Sequence, residues 1–296
     1  MISVVGPTAI GKTVKAIEIA EHLGTEIISA DSRQFYRETS IGTAKPTPPE
    51  LSRIKHHFID SHSISDFYSA GAFERDALDL LTRLFETNSL VVAVGGSGLY
   101  LKALWHGFDD MPEVKDGLRE QLNEEFVQNG IEPLLNELKE HDSIYYDQVD
   151  RMNHQRVIRA LEVIRSTGKP FSAFRQSEPI NERPFRNIKI GLEMEREQLY
   201  ERIDKRMDQM ISAGLFNEAE GLYQYKEMNA LQTVGYKEIF DFMDGKYDRE
   251  EAVRLLKRNS RRYAKRQMTW FKADPEIKWF DAATPVVEIL VSLHLA

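Results

Sequence analysis

The stretch "GPTAIGKT", residues 6–13, decides how this chain is read. Its spacing is Gly6, four residues, Gly11, Lys12 and Thr13, the full G-x-x-x-x-G-K-[ST] pattern of a phosphate-cradling loop. The glycines let backbone N–H groups turn inward on phosphate oxygens. The lysine reaches the outer phosphates, and the hydroxyl faces Mg2+. Before the loop, Ile2 to Val5 is an apolar run that reads as a buried strand. After it, "VKAIEIAEHLG" carries Val14, Ile17 and Leu23 at helical spacing and stops at Gly24. A helix starting at the loop adds a favourable field for anions at its N-terminus. Gly6, Pro7, Thr8, Ala9, Ile10, Gly11, Lys12 and Thr13 are therefore candidate phosphate-binding residues, with Thr13 the candidate Mg2+ ligand. The loop alone leaves open whose phosphates it holds.

Outward from the loop, strand-like and helix-like runs alternate. "EIISA" (26–30) reads as a second strand, and "SAGAFERDALDLLTRLF" places Phe73, Ala77, Leu80, Leu81 and Leu84 on one helical face. "LVVAV" (90–94) is a third, buried strand, followed by Gly95-Gly96-Ser97-Gly98 and another helix. Such alternation predicts an α/β fold, a parallel sheet with helices on both faces, with ligands at the C-terminal ends of the strands. From Pro112 to about Arg186 the sequence turns helical and polar and closes in a loop around "SEPINERP". That predicts a helical insertion over 111–186 within a core of 1–110 and 187–296. "NIKIGLEM" (187–194) resembles one more strand, and Arg196 to Lys272 reads as mostly helical.

Composition narrows the class. The 296 residues are 42% hydrophobic and 29% charged, ordinary for one core with an appended part. No apolar stretch approaches the ~18 residues of a membrane span, and the N-terminus enters a strand without the marks of a signal peptide. The absence of cysteine excludes disulfides and Cys-ligated zinc and fits a reducing cytoplasm. The net charge of −8 does not suggest nucleic acid, but its distribution does. Glu113 to Asp150 holds eleven acids against three bases, whereas Arg254 to Lys272 holds eight bases and no acid. Segregation of this kind can mark a polyanion face.

At the strand ends, Asp31 in "SADSRQFY" is either a turn former or a site residue. The third strand ends in glycine, where the commonest ATPases carry a Mg2+-holding aspartate. Arg202 and Arg206, four apart, form either a solvated helix face or a diphosphate clamp. The adjacent His56 and His57 point apart and read as a packed or surface pair rather than a metal site. The tryptophans and "MTWF" (268–271) read as core.

"GPTAIGKT", "ADSRQFYRETSIGTAKP", "HHFID", "VGGSGLYLKAL", "HQRVIRALEV", "QTVGYKEI" and "RRYAKRQMTWF" occur in this order. Together they resemble the bacterial tRNA dimethylallyltransferases, also called tRNA isopentenyltransferases, from the first strand to about twenty residues from the C-terminus. The resemblance implies a P-loop NTPase-like core and a loop that holds the diphosphate of dimethylallyl diphosphate. The five-carbon group passes to N6 of the adenosine 3′ of the anticodon, in tRNAs reading codons that begin with U. It also implies Asp31 as the base that accepts an N6 proton, and Thr8 and Arg206 on the diphosphate. The implied tRNA contacts are Asp31, Ser32, Arg33, Gln34, Ser97, Gln155, Arg156, Val157, Ile158, Arg159, Gln232, Thr233, Val234, Gly235, Tyr236 and Lys237. Mg2+ is the implied cofactor. The implied partners are the tRNA anticodon stem-loop and dimethylallyl diphosphate, with a monomeric chain, no membrane and a cytoplasmic location. One segment departs from the family: "ETSIGTAKP" stands where "GMDIGTAKP" is usual, with Thr39 and Ser40 at the changed positions. Two alternatives share the loop, a small-molecule or nucleoside-monophosphate kinase and an RNA-binding protein with a dead P-loop. Neither accounts for the whole ordered set.

Overall fold

The computed structural model describes residues 1–66, 68–108, 111–175 and 183–295. The "SEPINERP" loop falls largely on 176–182, outside the described residues. Six parallel strands form one sheet in the order β3-β2-β4-β1-β5-β6. They are β1 (Ile2–Val5), β2 (Ile27–Ser29), β3 (His56–His57), β4 (Val92–Gly95), β5 (Ile188–Glu193) and β6 (Lys278–Asp281). The helices are α1 (Lys12–Leu23), α2 (Pro48–Arg53), α3 (Ala70–Leu84), α4 (Gly98–His106), α5 (Leu118–Asn129), α6 (Glu132–His141), α7 (Ser143–Gln148), α8 (His154–Thr167), α9 (Arg196–Ser212), α10 (Leu215–Leu222), α11 (Tyr236–Met243), α12 (Arg249–Lys272) and α13 (Val286–Ser292).

The register brings the strand ends together. Val5 lies opposite Gly95 on one side and Gly191 on the other, and Ser29 lies opposite Val94. The loop after β1, Asp31 after β2 and Gly96-Ser97 after β4 therefore leave the sheet along one edge. Both faces are covered, which is why β1 is buried at every position. Ile2 and Val4 pack with Ile17 and Ala20 of α1, Ile203 of α9 and Ile289 of α13. Ser3 takes the opposite side, where its hydroxyl accepts from the Trp105 indole at 2.9 Å.

His56 and His57, read as a packed or surface pair, are half-buried and form the edge strand β3, paired with Ile27 and Ile28. One expectation for the first helix needs correction. Val14 does not join the inner face of α1: it is half exposed, while Ala16, Ile17, Ile19 and Ala20 are buried. The strand β6 and the helix α13 had no counterpart in the sequence reading.

The chain divides into two compact units, Met1–Trp105 with Arg183–Ala296, and His106–Glu182. The second has its own core of Leu122, Leu134, Leu138, Val157, Ile158 and Leu161. Its central helix α8 is capped by the Asn153 side chain, which accepts from the Arg156 N–H, and ends at Gly168 in the left-handed region. Arg165 grips the carboxylates of both Glu125 and Glu137 at 2.6–2.8 Å.

Candidate active site

A cavity of about 460 Å3 opens at the C-terminal edge of the sheet. Its wall includes Thr8, Lys12, Thr13, Asp31, Arg202 and Arg206, so the sequence candidates for anion binding and proton transfer meet at one place. The loop is shaped by backbone conformations that suit glycine: Gly6 has φ +145° and Gly11 has φ +104°. A side chain at Gly6 would also meet the Leu192 carbonyl at 2.8 Å. Ala9, with φ +65°, holds the left-handed region without being glycine. The first N–H groups of α1 have no partner within the helix, and its first residues, Lys12 to Val14, line the cavity.

The amides of the loop divide their work, which the sequence did not show. The Thr8 N–H donates to Oε1 of Gln267 at 2.8 Å, so it is committed to α12 rather than to a phosphate. The Thr8 hydroxyl accepts a hydrogen bond from Arg206. Lys12 rests its ammonium on the Pro7 carbonyl at 2.8 Å. Removal from water, helped by the Arg206 guanidinium, pushes Lys12 down to about 7, with Asp31 opposing. Burial raises the Asp31 carboxyl above its usual range, although the Arg33 N–H donates to it at 2.9 Å and Lys12 and Arg33 lie near. Arg202 and Arg206 both line the cavity, and of the two only Arg206 hydrogen-bonds to the loop.

Around Asp31, the Ser32 N–H donates to the Ser97 hydroxyl at 2.9 Å, and that hydroxyl donates to Ser32 Oγ at 3.0 Å. Ser32, Arg33 and Gln34 line the cavity with Thr233, Val234 and Gly235. Arg33 also reaches the Asn229 carbonyl at 2.7 Å. Three residues of the "QTVGYK" motif take other places. Gln232 donates to the Lys226 carbonyl at 2.5 Å, Lys237 is exposed, and Tyr236 is fully buried against Gly42. In the second unit, Gln155 and Arg156 are exposed on α8 and Arg159 is half-buried beside Glu162, whereas Val157 and Ile158 belong to the core.

The altered segment "ETSIGTAKP" is held by a residue outside every motif. The Glu218 carboxylate accepts the backbone N–H groups of Ser40, Ile41 and Gly42 at 3.0, 2.8 and 2.9 Å, and the Tyr236 hydroxyl as well. Thr39 is buried and donates to the Tyr36 carbonyl at 3.2 Å. Strand β4 ends at Gly95, where an added Cβ would lie 2.2 Å from the Ala30 carbonyl oxygen.

The basic helix also needs correction. Its stretch from Arg254 to Lys272 holds eight bases and no acid, but four of the eight are paired in the fold. Arg254 meets Glu251, Lys257 meets Asp208 at 2.6 Å, Arg261 meets Asp204 at 2.5 Å, and Lys272 meets Glu193 at 2.6 Å. Arg258 is half-buried and donates to Asn259 Oδ1. Arg262, Lys265 and Arg266 are exposed and have no carboxylate within 4.0 Å among the described residues. The inward face runs through Ala252, Leu256, Ser260, Ala264, Gln267 and Phe271, while Tyr263 lines the cavity.

Known proteins resemble this chain in sequence and fold. The family model described as IPP transferase matches residues 34–274. The tRNA dimethylallyltransferase of Cytophaga hutchinsonii is 55% identical over 280 residues, covering 95% of this chain and 92% of the relative. That of Christiangramia forsetii is 54% identical over 282 residues, covering 95% and 93%. A crystal structure of the tRNA isopentenylpyrophosphate transferase from Bacillus halodurans superposes with a TM-score of 0.71 at 38% identity, covering 99% of this chain and 93% of that one. A eukaryotic dimethylallyltransferase described as acting on tRNA gives a TM-score of 0.78 at 25% identity, covering 95% and 73%. The loop after β1, Asp31 after β2 and Arg206 thus sit in a chain that matches these proteins along nearly its whole length, and it belongs to the IPP transferase family.

Proposed function

We propose that this protein transfers the dimethylallyl group of dimethylallyl diphosphate to N6 of the adenosine 3′-adjacent to the anticodon, in tRNAs that read codons beginning with U. The single observation that carries this reading is the convergence of Thr8, Lys12, Arg206 and Asp31 on one cavity. Its volume suits a small donor and one extruded base, within the ~300–1,000 Å3 usual for ligand sites. The allylic C–O bond breaks toward diphosphate, the new bond joins that carbon to N6, and an N6 proton goes to the Asp31 carboxylate. Positive charge fixed where the leaving group becomes anionic lowers the barrier. Lys12, Arg206 and the first amides of α1 are assigned that role. The N6 lone pair is delocalised into the purine, so a carboxylate that accepts its proton improves a poor nucleophile. Burial, which raises Asp31, makes it a stronger base.

The donor set fits a Mg2+ held mainly by the diphosphate. Thr13 lines the cavity, its hydroxyl being the group that would meet the ion, and Gly95 offers no carboxylate at the end of β4. When bound, the ion would supply further neutralisation of the leaving group. The adenosine is flipped out of its stack to reach the cavity, flanked by Ser32 to Gln34 and Thr233 to Gly235. Gln155, Arg156 and Arg159 on α8 are assigned to tRNA, as are Arg262, Lys265 and Arg266 on α12. We assign the chain to the cytoplasm as a monomer.

Incubation with radiolabelled dimethylallyl diphosphate, unmodified tRNA and Mg2+ tests the proposal. Label is expected in the RNA. Phosphate transfer from ATP to a small acceptor, with no label in RNA, would overturn it.

A further inference from the structure

The buried face of α12 is mostly apolar, and Gln267 interrupts it beside the phosphate loop. Only 7% exposed, this amide pairs both of its ends with backbone. Its Oε1 accepts the Thr8 N–H at 2.8 Å, and its Nε2 donates to the Gly96 carbonyl at 2.8 Å. One side chain thus ties α12 to the loop after β1 and to the turn after β4. The fit is close, because a Cβ on Gly96 would lie 2.4 Å from Gln267 Nε2.

Each tied segment leads to one end of the site. Thr8 receives Arg206, on the leaving-group side. Gly96 precedes Ser97, whose hydroxyl holds the Ser32 N–H next to Asp31, on the proton-accepting side. A buried amide is costly unless its donor and acceptor are both satisfied. Here both are satisfied by the two segments that carry the chemistry. We infer that Gln267 is a positioning residue that sets the separation between the diphosphate end and the Asp31 end of the site during prenyl transfer. The inference rests on the function proposed above.

A misplacement on the order of 1 Å costs roughly 10²-fold in rate. The test is steady-state kinetics with dimethylallyl diphosphate and unmodified tRNA on Gln267→Ala, Gly96→Ala and the double variant, with thermal melts alongside. Gln267→Ala is expected to lower kcat by roughly 10²-fold while KM for both substrates stays within about threefold. Gly96→Ala disturbs the same tie from its other end and is expected to lower kcat as well. In the double variant the losses do not multiply, because alanine at 267 removes the amide that the new Cβ would meet. Gln267→Glu keeps an acceptor for Thr8 but loses the donor to Gly96, and falls between wild type and alanine.

A Gln267→Ala enzyme with wild-type kcat, losses that multiply in the double variant, or a loss confined to KM would overturn the inference. Should Gln267→Ala fail to fold, the split between kcat and KM in folded Gly96→Ala decides alone. The two failures are distinct. A wild-type protein that puts no label into tRNA sinks the proposed function, whereas an active wild type with unaffected variants sinks only the role of Gln267.

Discussion

At the scale of single residues, Asp31 and Lys12 show what assembling the site costs. Burial raises Asp31, so the folded protein holds that proton more tightly than the unfolded chain. Its contribution to stability is present at low pH and is lost as pH rises through the raised value. At neutral pH the ionised carboxylate therefore destabilises the fold. Asp31→Asn is expected to raise Tm by a few degrees in a thermal melt while lowering kcat by roughly 10²–10⁴-fold, the range for losing a general base. A variant that keeps near-full kcat would remove Asp31 from its assigned role. Lys12 moves the other way, from 10.5 to about 7. In mildly alkaline solution the empty site favours neutral Lys12, and a bound diphosphate restores the charge. Binding at about pH 8 is then expected to take up close to one proton. Calorimetry in two buffers of different ionisation heat measures that uptake, and Lys12→Met should abolish it.

Among elements, α12 and the segment after β2 divide the labour. Four of the cations on α12 are engaged, with Glu251, Asp208, Asp204 and Glu193, whereas Arg262, Lys265 and Arg266 are exposed and have no carboxylate within 4.0 Å among the described residues. Each phosphate contact adds about 0.7–0.9 to the slope of log K against log salt. Replacing Arg262 and Arg266 together with alanine should flatten that slope by about 1.5 and weaken all tRNAs alike. Filter binding across a salt series checks this, and an unchanged slope would move the RNA elsewhere. Glu218 caps three amides of residues 40–42. Glu218→Ala leaves them without their acceptor, at a cost of about 1–3 kcal/mol. Amide exchange at 40–44 should quicken and KM for tRNA should rise. Neither Glu218 nor Gln267 was legible in the sequence. Each sits among other polar residues on an amphipathic helix, and its partners lie up to 178 and 259 residues away. The phosphate loop was legible because its chemistry is contiguous, with strand, glycines, lysine and helix in one stretch. The ion pairs of Lys257 and Arg261 were missed because Asp208 and Asp204 sit on α9, whereas Glu251 and Arg254 pair three residues apart within α12.

For the molecule as a whole, the parallel sheet was readable from alternating apolar runs, because strands buried on both faces declare themselves in composition. Its edges were not. Strand β3 is two residues long and exists only through its pairing with β2, and β6 lies in a stretch with no motif. The segment His106–Glu182 has its own core, and the chain on either side of it meets closely: Arg183 donates to the Leu104 carbonyl at 3.1 Å. Replacing His106–Glu182 with a short Gly/Ser linker is expected to leave a folded protein that still binds pyrophosphate but has lost most of its affinity for tRNA. Calorimetry and filter binding on the same preparation measure both, and loss of pyrophosphate binding in a folded variant would show that the segment serves the donor. Gly95 also limits what this edge of the sheet can be made to do. Its backbone lies so close to Ala30, just past the end of β2, that one added carbon would stand 2.2 Å from the Ala30 carbonyl oxygen. An aspartate there, of the kind that anchors metal in nucleotide hydrolases, would have to move the segment that leads into Asp31 before it could help any reaction. Engineering at this position therefore changes the backbone first and the chemistry only afterwards.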